Sequence, residues 1–233
     1  VDEDPVVRIA CGSRWIMVEG PHGIGLSYAP KPPHEIKART AHYQNRSLRA
    51  LAQLSQSWDP AEMALAIAAI NAHYNRFHLE GRTGNGLRSL RQVPGRTVAI
   101  GAFPGIDGML PECQVIETDP RPGEFPPMAM ETLLPGCAAA AVNSSALVNR
   151  SLPRILRLTF NRPVALVGPS TPMTPRLFDY GLSILGGLVV HDGDGMAAAI
   201  RAGALPREFS KFGKFVHIAA TDINNQTETN NFT

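Results

Sequence analysis

The sequence predicts an α/β protein in which a Rossmann-like parallel-sheet domain follows a small α+β domain. From residue 97 onward, short uninterrupted apolar runs alternate with helical segments, as in parallel sheets that are buried on both faces. The first ninety residues place short strands before helices, which is the order expected of an α+β unit. The 233 residues, 44% of them hydrophobic, suffice for one large domain or two small ones. We predict an α+β domain over 1–93, a Rossmann-like domain over 94–218 and a polar tail over 219–233.

The α+β domain is predicted to begin with a β-hairpin. Two β-type runs, 6–11 and 15–18, flank the turn residues Gly12 and Ser13, and 23–28 can add a third strand. A proline-rich loop is expected over 30–46.

Two helices are expected after the loop, over 47–56 and from Asp59 onward. Asp59 has the features of an N-cap, because Pro60 follows it directly and Glu62 lies three residues after it. Asn71 and Asn75 share a side of this helix, where they can reach the second domain or lie in solvent. The face predicted to be core carries Met63, Ile67, Ile70 and Tyr74.

A linker is predicted over 82–95, which is rich in glycine and basic residues. The strands predicted beyond it are 97–100, 114–118, 138–142, 163–167 and 184–190. The predicted helices are 126–134, 151–159, 174–180 and 195–202.

The candidate site lies at the carboxyl ends of the predicted parallel strands. Ligands of open parallel sheets bind there, because the loops converge and helix amino termini point free N–H groups into a crevice. The strands end in polar or glycine-rich residues, so their ends outline one crevice. The candidate ligand-binding residues are Gly101, Phe103, Asp119, Arg121, Asn143, Ser144, Ser145, Asn149, Gly168, Ser170 and Thr171.

Several candidates also have a purely structural interpretation. Asp119 can bind a ribose diol or merely open a turn before Pro120, and Arg121 can clamp an anion or pair with Asp119 at the surface. The short polar residues after the third and fourth strands can contact a ligand or cap a helix. A capped helix start also attracts anions, so these two interpretations are compatible.

The usual cofactor and catalytic motifs are absent. The segment GAFPG, which begins at Gly101, lacks the GxGxxG pattern, so we do not expect NAD or FAD. There is no GxSxG, HExxH, Walker lysine or HxH pair, and the three cysteines lack CxxC spacing. The sequence therefore identifies no metal ligands, and catalytic roles are limited to Asp119 and Asp179 as acid/base candidates.

The composition indicates small partners. A net charge of +2 without charge blocks argues against nucleic acid or an anionic membrane as the main partner. The amino terminus lacks a signal-peptide pattern, and no apolar run approaches the ~18 residues of a transmembrane helix. We expect a cytoplasmic protein that binds a small molecule or a metal complex, and homodimerisation fits a protein of this size.

Three segments carry a resemblance to a known family: DPRPG from Asp119, VNSSALVN from Val142 and GPSTPMTPRLFDYG from Gly168. They resemble bacterial and archaeal proteins of uncharacterised function labelled "putative heavy-metal chelation", over about 97–217 and, more weakly, 6–90. The resemblance implies an enolase-N-terminal-like domain before a Rossmann-like one, with a site where they meet. The positions that it implies are Asp119, Arg121, Asn143, Ser145, Asn149, Ser170, Thr171 and Asp179.

The leading hypothesis is binding of a small anionic ligand, a metal chelate or an oxyanion in the interdomain crevice, with a role in heavy-metal chelation or homeostasis. Soft ligands are not clustered in the sequence, which argues against a thiolate metal trap and leaves the metal itself unidentified. The alternative is an enzyme acting on a small polar or nucleotide-like metabolite, with Asp119 or Asp179 as acid/base. A third hypothesis is a structural role without a ligand.

Overall fold

The computed structural model describes residues 1–29, 42–101 and 103–222, and these form the predicted α/β fold. Their strands make two sheets: a three-stranded antiparallel sheet and a larger sheet of seven strands. Most of the predicted loop over 30–46 and most of the predicted tail lie outside the described residues.

The small sheet has the predicted hairpin and third strand. It consists of β1 (Arg8–Cys11), β2 (Trp15–Glu19) and β3 (Ile24–Tyr28), paired in sequential order. The helices α1 (Leu48–Gln53) and α2 (Pro60–Tyr74) follow, and a 3₁₀ turn (Leu54–Gln56) extends α1. The N-cap of α2 is confirmed, because the Asp59 carboxylate accepts a hydrogen bond from the Ala61 amide at 2.8 Å.

Both faces of the small sheet are buried. Ile16 and Val18 of β2 pack with α1 and α2, whereas Trp15 and Met17 pack with the large sheet and its neighbouring helix. Because alternate residues of a strand point to opposite faces, this double burial explains the unbroken apolar run of β2.

The helix α2 packs on β3 through small residues rather than through the predicted face. Met63 and Ile67 are buried, but Ile70 and Tyr74 are only half-buried. The residues of α2 in the core of the α+β domain are Ala61, Ala64, Leu65, Ala68, Ala69 and Ala72. At Gly25 of β3, a Cβ atom would lie 2.0 Å from the Ala68 carbonyl oxygen, so the helix and the strand are in direct backbone contact.

The large sheet contains the five predicted strands and two more. The strands are β4 (Arg82–Thr83), β5 (Thr97–Ile100), β6 (Gln114–Ile116), β7 (Ala139–Asn143), β8 (Val164–Val167), β9 (Ile184–Val190) and β10 (Gly213–Ala219). Their order is β4-β10-β9-β8-β7-β5-β6, with β5 to β9 parallel and β10 antiparallel to both neighbours.

Short helices cover both faces of the large sheet. They are α3 (Ile106–Met109), α4 (Met130–Leu133), α5 (Ser145–Val148), α6 (Leu152–Leu158) and α7 (Gly193–Arg201). Further 3₁₀ turns are Leu87–Gln92, Pro127–Ala129, Pro175–Tyr180 and Pro206–Lys211. Branched side chains such as Val142 and Leu166 face the core beneath α6, whereas the other face carries alanines such as Ala99 and Ala141.

The segment predicted to be a linker is part of the large sheet. Arg82–Thr83 pairs with β10, and the following 3₁₀ turn buries Leu87 and Leu90 against the alanine face. A strand of two residues is too short to show alternating apolar and polar residues, which explains why the sequence predicted a linker instead of β4. The domain limit between residues 93 and 94 stays a prediction.

The predicted helical segment 174–180 is a 3₁₀ helix, and Pro175 occupies its first position as predicted. One further prediction needs correction. The predicted tail is ordered at its start, because Ala219 ends β10 and the Asp222 carboxylate accepts a hydrogen bond from the Ala219 amide at 3.1 Å. None of the described helices is long and apolar enough to span a bilayer.

Gly25→Ala is expected to destabilise the protein strongly. The added methyl group would meet backbone atoms of α2, with the Ala72 nitrogen at 2.2 Å, and backbone cannot rotate away as a side chain can. We expect the free energy of unfolding to fall by about 3 kcal/mol or more, measured by urea denaturation.

Gly108→Ala is the matched control for this substitution. Gly108 lies in α3, and no heavy atom stands within 4 Å of the position that its added methyl group would take. Alanine favours helix over glycine by about 1 kcal/mol, so this variant should be as stable as the wild type or slightly more so. Equal stability of Gly25→Ala and wild type would contradict the packing described here.

Candidate functional site

The strand order places a topological switch point between β5 and β7. From β5 the chain moves to one side to form β6 and then to the other side to form β7, β8 and β9. In doubly wound sheets, connections that diverge in this way leave a crevice at the carboxyl ends of the two central strands. The residues at this point are Gly101, directly after β5, and Asn143, the last residue of β7.

Gly101 and Asn143 are in close contact. A Cβ atom on Gly101 would lie 2.6 Å from the Asn143 Cβ, and the Gly101 φ angle is +90°. Both the lack of space and the left-handed backbone require glycine here. The structure therefore brings together two of the predicted site residues.

Asn143 and Ser145 form the start of α5. The Asn143 side-chain oxygen accepts a hydrogen bond from the Ser145 amide at 3.0 Å, and both residues are half-buried. This Asx-type turn directs the chain from β7 into the helix. The helix α5 then packs against α2 and β3, so it lies between the crevice and the α+β domain.

Ser144, Gly168 and Ser170 form a buried contact between two loops instead of lining the crevice. The Ser144 hydroxyl accepts a hydrogen bond from the Ser170 amide at 3.3 Å, and a Cβ on Gly168 would lie 2.3 Å from that hydroxyl oxygen. Ser144 and Ser170 are each 1% exposed, which leaves neither hydroxyl open to a ligand in solution.

The loop after β8, residues 168–174, packs against the α+β domain and is named here the interdomain loop. The Ser170 hydroxyl accepts a hydrogen bond from the Tyr28 amide at 3.2 Å, so it serves the domain contact and caps no helix. Thr171 is fully buried, and its hydroxyl has no hydrogen-bond partner among the described residues. The prediction that these two residues face a ligand is not supported by their burial.

Asn75, the C-cap of α2, is the main polar link between the domains. Its side-chain nitrogen donates to the Thr171 carbonyl at 3.0 Å and to the Leu188 carbonyl at 3.2 Å. Its side-chain oxygen accepts from the Met173 amide at 2.9 Å. Of the two positions that the sequence allows, Asn75 therefore takes the interdomain one. Asn71 is buried as well, but it donates within its own domain, to the Leu26 carbonyl at 2.8 Å.

Arg150 provides a second link, which sequence reasoning missed. Its guanidinium donates to the Ser55 carbonyl at 2.8 Å and to the Ser57 carbonyl, and it lies 4.7 Å from the centre of the Trp58 ring. Its φ of 61° is rare for a residue with a side chain. No sequence signal identifies a left-handed arginine, because that conformation depends on the surrounding loops.

The remaining site predictions are at the surface or in the core. Asp119, Arg121, Asn149 and Asp179 are exposed, and the guanidinium of Arg121 pairs with no acid among the described residues. The Asn149 side chain accepts from the Ser151 amide at 3.0 Å, which is a local turn contact. Phe103 is half-buried against the core beneath α3. The structure therefore does not join the acid/base candidates Asp119 and Asp179 to a buried site.

Metal-ligating side chains converge at a different place. Among the described residues, one ligand atom each from Asp2, Asp4 and His73 lie within 4.8 Å of one another. Burial is the main cause that lowers the pKa of His73, and the positive charges of the Val1 amino group and Arg76 lower it further, while Asp2 and Asp4 oppose them. The sequence signal for the group of Asp2, Asp4 and His73 was the Asp-x-Asp spacing, but the nearness of the two acids to His73 depends on the fold.

Burial also raises the pKa of the Cys113 and Cys137 thiols.

A groove between α1 and α2 has a volume of about 370 Å³ and is separate from the crevice. It is lined by Val1, Arg49, Ala52, Gln53, Ser55, Gln56, Ile70 and Tyr74. None of these residues was predicted to belong to a site. The candidate site is the crevice at the switch point, because parallel sheets bind ligands at the carboxyl ends of their strands.

Two protein-family models match most of the chain. Residues 86–219 match the DUF364 family and residues 1–74 match the DUF4213 family, both described as "putative heavy-metal chelation". The chain belongs to the DUF364 family. The resemblance predicted from the sequence is therefore confirmed, although the family description names no metal and no ligand.

Two solved structures support the DUF364 fold. A DUF364 protein of unknown function from Desulfitobacterium hafniense DCB-2 is 29% identical, with a TM-score of 0.80 over 94% of this chain and 93% of that one. A DUF364 protein of unknown function from Pyrococcus horikoshii is 21% identical, with a TM-score of 0.76 over 94% of each chain. None of the curated proteins matches the chain.

Asn75→Ala is expected to destabilise the protein by about 3 kcal/mol or more. The substitution leaves the Thr171 carbonyl, the Leu188 carbonyl and the Met173 amide without their side-chain partner, and each buried unpaired group costs about 1–3 kcal/mol. The free energy of unfolding from urea titration tests this.

Asn45→Ala serves as the control, because Asn45 is exposed and should change stability by less than about 0.5 kcal/mol. If both variants unfolded at the same urea concentration as the wild type, the side chain of Asn75 would not link the domains.

Proposed function

We propose that the protein binds a small anionic ligand, either an oxyanion or a metal chelate, in the crevice between the carboxyl ends of β5 and β7. The observation that carries the proposal is the contact between Gly101 and Asn143 at the switch point. The missing Cβ of Gly101 leaves room for the Asn143 side chain at the switch point, and a carboxamide carries both a donor and an acceptor.

The chemistry at this edge favours an anion over a bare cation. Asn143 and Ser145 are uncharged, and neither offers the carboxylate, imidazole or thiolate that holds a metal ion directly. Arg121 follows β6, the neighbour of β5, and its guanidinium is not neutralised by an ion pair within the described ranges. We propose that Arg121, on an exposed segment that also carries Asp119 and Glu124, contributes its charge to ligand binding beside these neutral groups, a combination that suits an oxyanion or the carboxylates of a chelator.

The family description gives this ligand class a context. Members are described as putative heavy-metal chelation proteins. We therefore propose that this protein binds a metal in the form of a chelate or an oxyanion. A role in cytoplasmic metal homeostasis and homodimerisation are part of the same proposal. Light scattering of the purified protein tests the dimer.

The enzymatic alternative has less support. Its acid/base candidates, Asp119 and Asp179, are exposed and have no hydrogen bond to another described residue that would orient them. General acid/base catalysis depends on groups held within hydrogen-bond reach of the substrate, which exposed and unsupported carboxylates do not provide.

Asn143→Asp is expected to weaken anion binding strongly without unfolding the protein. A carboxylate has nearly the shape of the amide and can still accept the hydrogen bond from the Ser145 amide, but it places a negative charge in the crevice. Calorimetric titration with molybdate, tungstate and citrate-chelated metal should show binding to the wild type and at least tenfold weaker binding to the variant. Arg121→Gln should weaken it severalfold.

Two controls match these substitutions. Asn161→Asp adds the same charge at an exposed position before β8, at the opposite end of the strands, and Arg207→Gln removes an exposed arginine near α7. Both should bind as the wild type does. Unchanged binding by Asn143→Asp would refute the site, and tighter binding of a bare metal ion by that variant would refute the preference for anions.

A further inference from the structure

Asp2, Asp4 and His73 converge on the surface of the α+β domain. Each contributes one ligand atom, and the three atoms lie within 4.8 Å of one another. None of these residues belongs to the crevice or to the interdomain interface.

The amino-terminal segment is held in a fixed position beside α1. The Asp4 carbonyl accepts a hydrogen bond from the Leu48 amide at 2.8 Å, and Pro5 forms an antiparallel bridge with Ser47. Glu3 contacts the start of α1, because its carboxylate accepts from the Ser47 hydroxyl at 2.6 Å.

The buried side chain of His73 is a second, independent observation that indicates a ligand at this place. Its side chain is 10% exposed, and its Nδ1 atom is buried without a hydrogen-bond partner among the described residues. The nearest acid, Asp2, places Oδ2 3.9 Å from Nδ1, which is too far for a hydrogen bond. Buried polar atoms in proteins are nearly always satisfied, so a buried imidazole nitrogen that lies 3.9 Å from a carboxylate without a hydrogen-bond partner requires an explanation.

We propose that Asp2, Asp4 and His73 bind a divalent transition-metal ion such as Zn²⁺ or Ni²⁺. One imidazole nitrogen and two carboxylate oxygens form a ligand set that suits these ions, with water completing the coordination. Ligand atoms around a tetrahedral ion at about 2.1 Å stand roughly 3.4 Å apart, so the three groups need only a small contraction. Asp2, whose side chain is 65% exposed, is free to make that movement.

Arg76 opposes metal binding at this site. Its guanidinium lies 3.7 Å from Asp2 Oδ2, and its Nε donates to the His73 carbonyl at 3.2 Å. A guanidinium at this distance competes with a cation for the Asp2 carboxylate and repels a second positive charge. Removing its charge should therefore strengthen metal binding rather than weaken it.

The test is calorimetric titration of the chelator-treated 233-residue chain with ZnCl₂ and, separately, NiCl₂. The wild type should bind one ion per chain. Asp2→Asn, Asp4→Asn and His73→Gln should each weaken binding at least tenfold, and Arg76→Gln should tighten it severalfold. Thermal melting identifies a variant that fails to fold. Asp2→Asn keeps the test decisive in that case, because its exposed side chain contributes little to folding.

The controls remove the same types of group at exposed positions outside the cluster. His78→Gln and Glu80→Gln should bind the ion as the wild type does. Absence of binding by the wild type, or equal affinity across all cluster variants, would overturn the proposal.

This site is independent of the crevice, and the outcomes separate the two proposals. Asn143→Asp changes the crevice and should leave Zn²⁺ affinity unaltered, whereas Asp2→Asn should leave molybdate affinity unaltered. Loss of Zn²⁺ binding in Asn143→Asp would assign the ion to the crevice and refute the site at Asp2, Asp4 and His73.

Discussion

The relative position of the two domains depends on the buried carboxamide of Asn75. It makes three hydrogen bonds at once, to backbone groups of Thr171, Met173 and Leu188. Such a network is satisfied in only one arrangement of the partners, since displacement of either domain would leave several buried groups unpaired. The interdomain loop follows β8 directly, so the same contacts fix the edge of the sheet at which the candidate crevice lies.

Two adjacent glycines in β9 allow this arrangement. A Cβ on Gly187 would lie 2.7 Å from the Met173 sulfur, and a Cβ on Gly186 would lie 2.3 Å from the Asn85 carbonyl oxygen. The interdomain loop therefore packs on one face of β9 while the segment after β4 packs on the other. Glycine within a buried strand is costly unless another backbone must approach closely, and here it does so on both faces.

Sequence patterns correctly predicted the features that depend on residues close together in the chain. The bounds of β5 and β9 were predicted to the residue, and the N-cap at Asp59 was correct, because apolar runs and capping chemistry depend on neighbours in sequence. The errors arose where distant segments meet. β4, within the segment predicted to be a linker, exists only because β10 pairs with it. The polar loop around Thr171 packs against the α+β domain, and its predicted contact with a ligand stays a prediction. Short polar side chains and prolines suit an interdomain contact as well as a binding site, so composition alone cannot separate them.

The last turn of α2 connects the two parts of the molecule that our proposals concern. His73 belongs to the proposed metal site with Asp2 and Asp4, and Asn75, two residues later, belongs to the domain interface. Residues two apart point to different sides of a helix, so the end of α2 contributes one residue to the proposed metal site and another to the domain interface. An ion held by His73, Asp2 and Asp4 would fix the end of α2 and with it the position of Asn75. Metal binding at the surface would then stabilise the domain interface without contacting it.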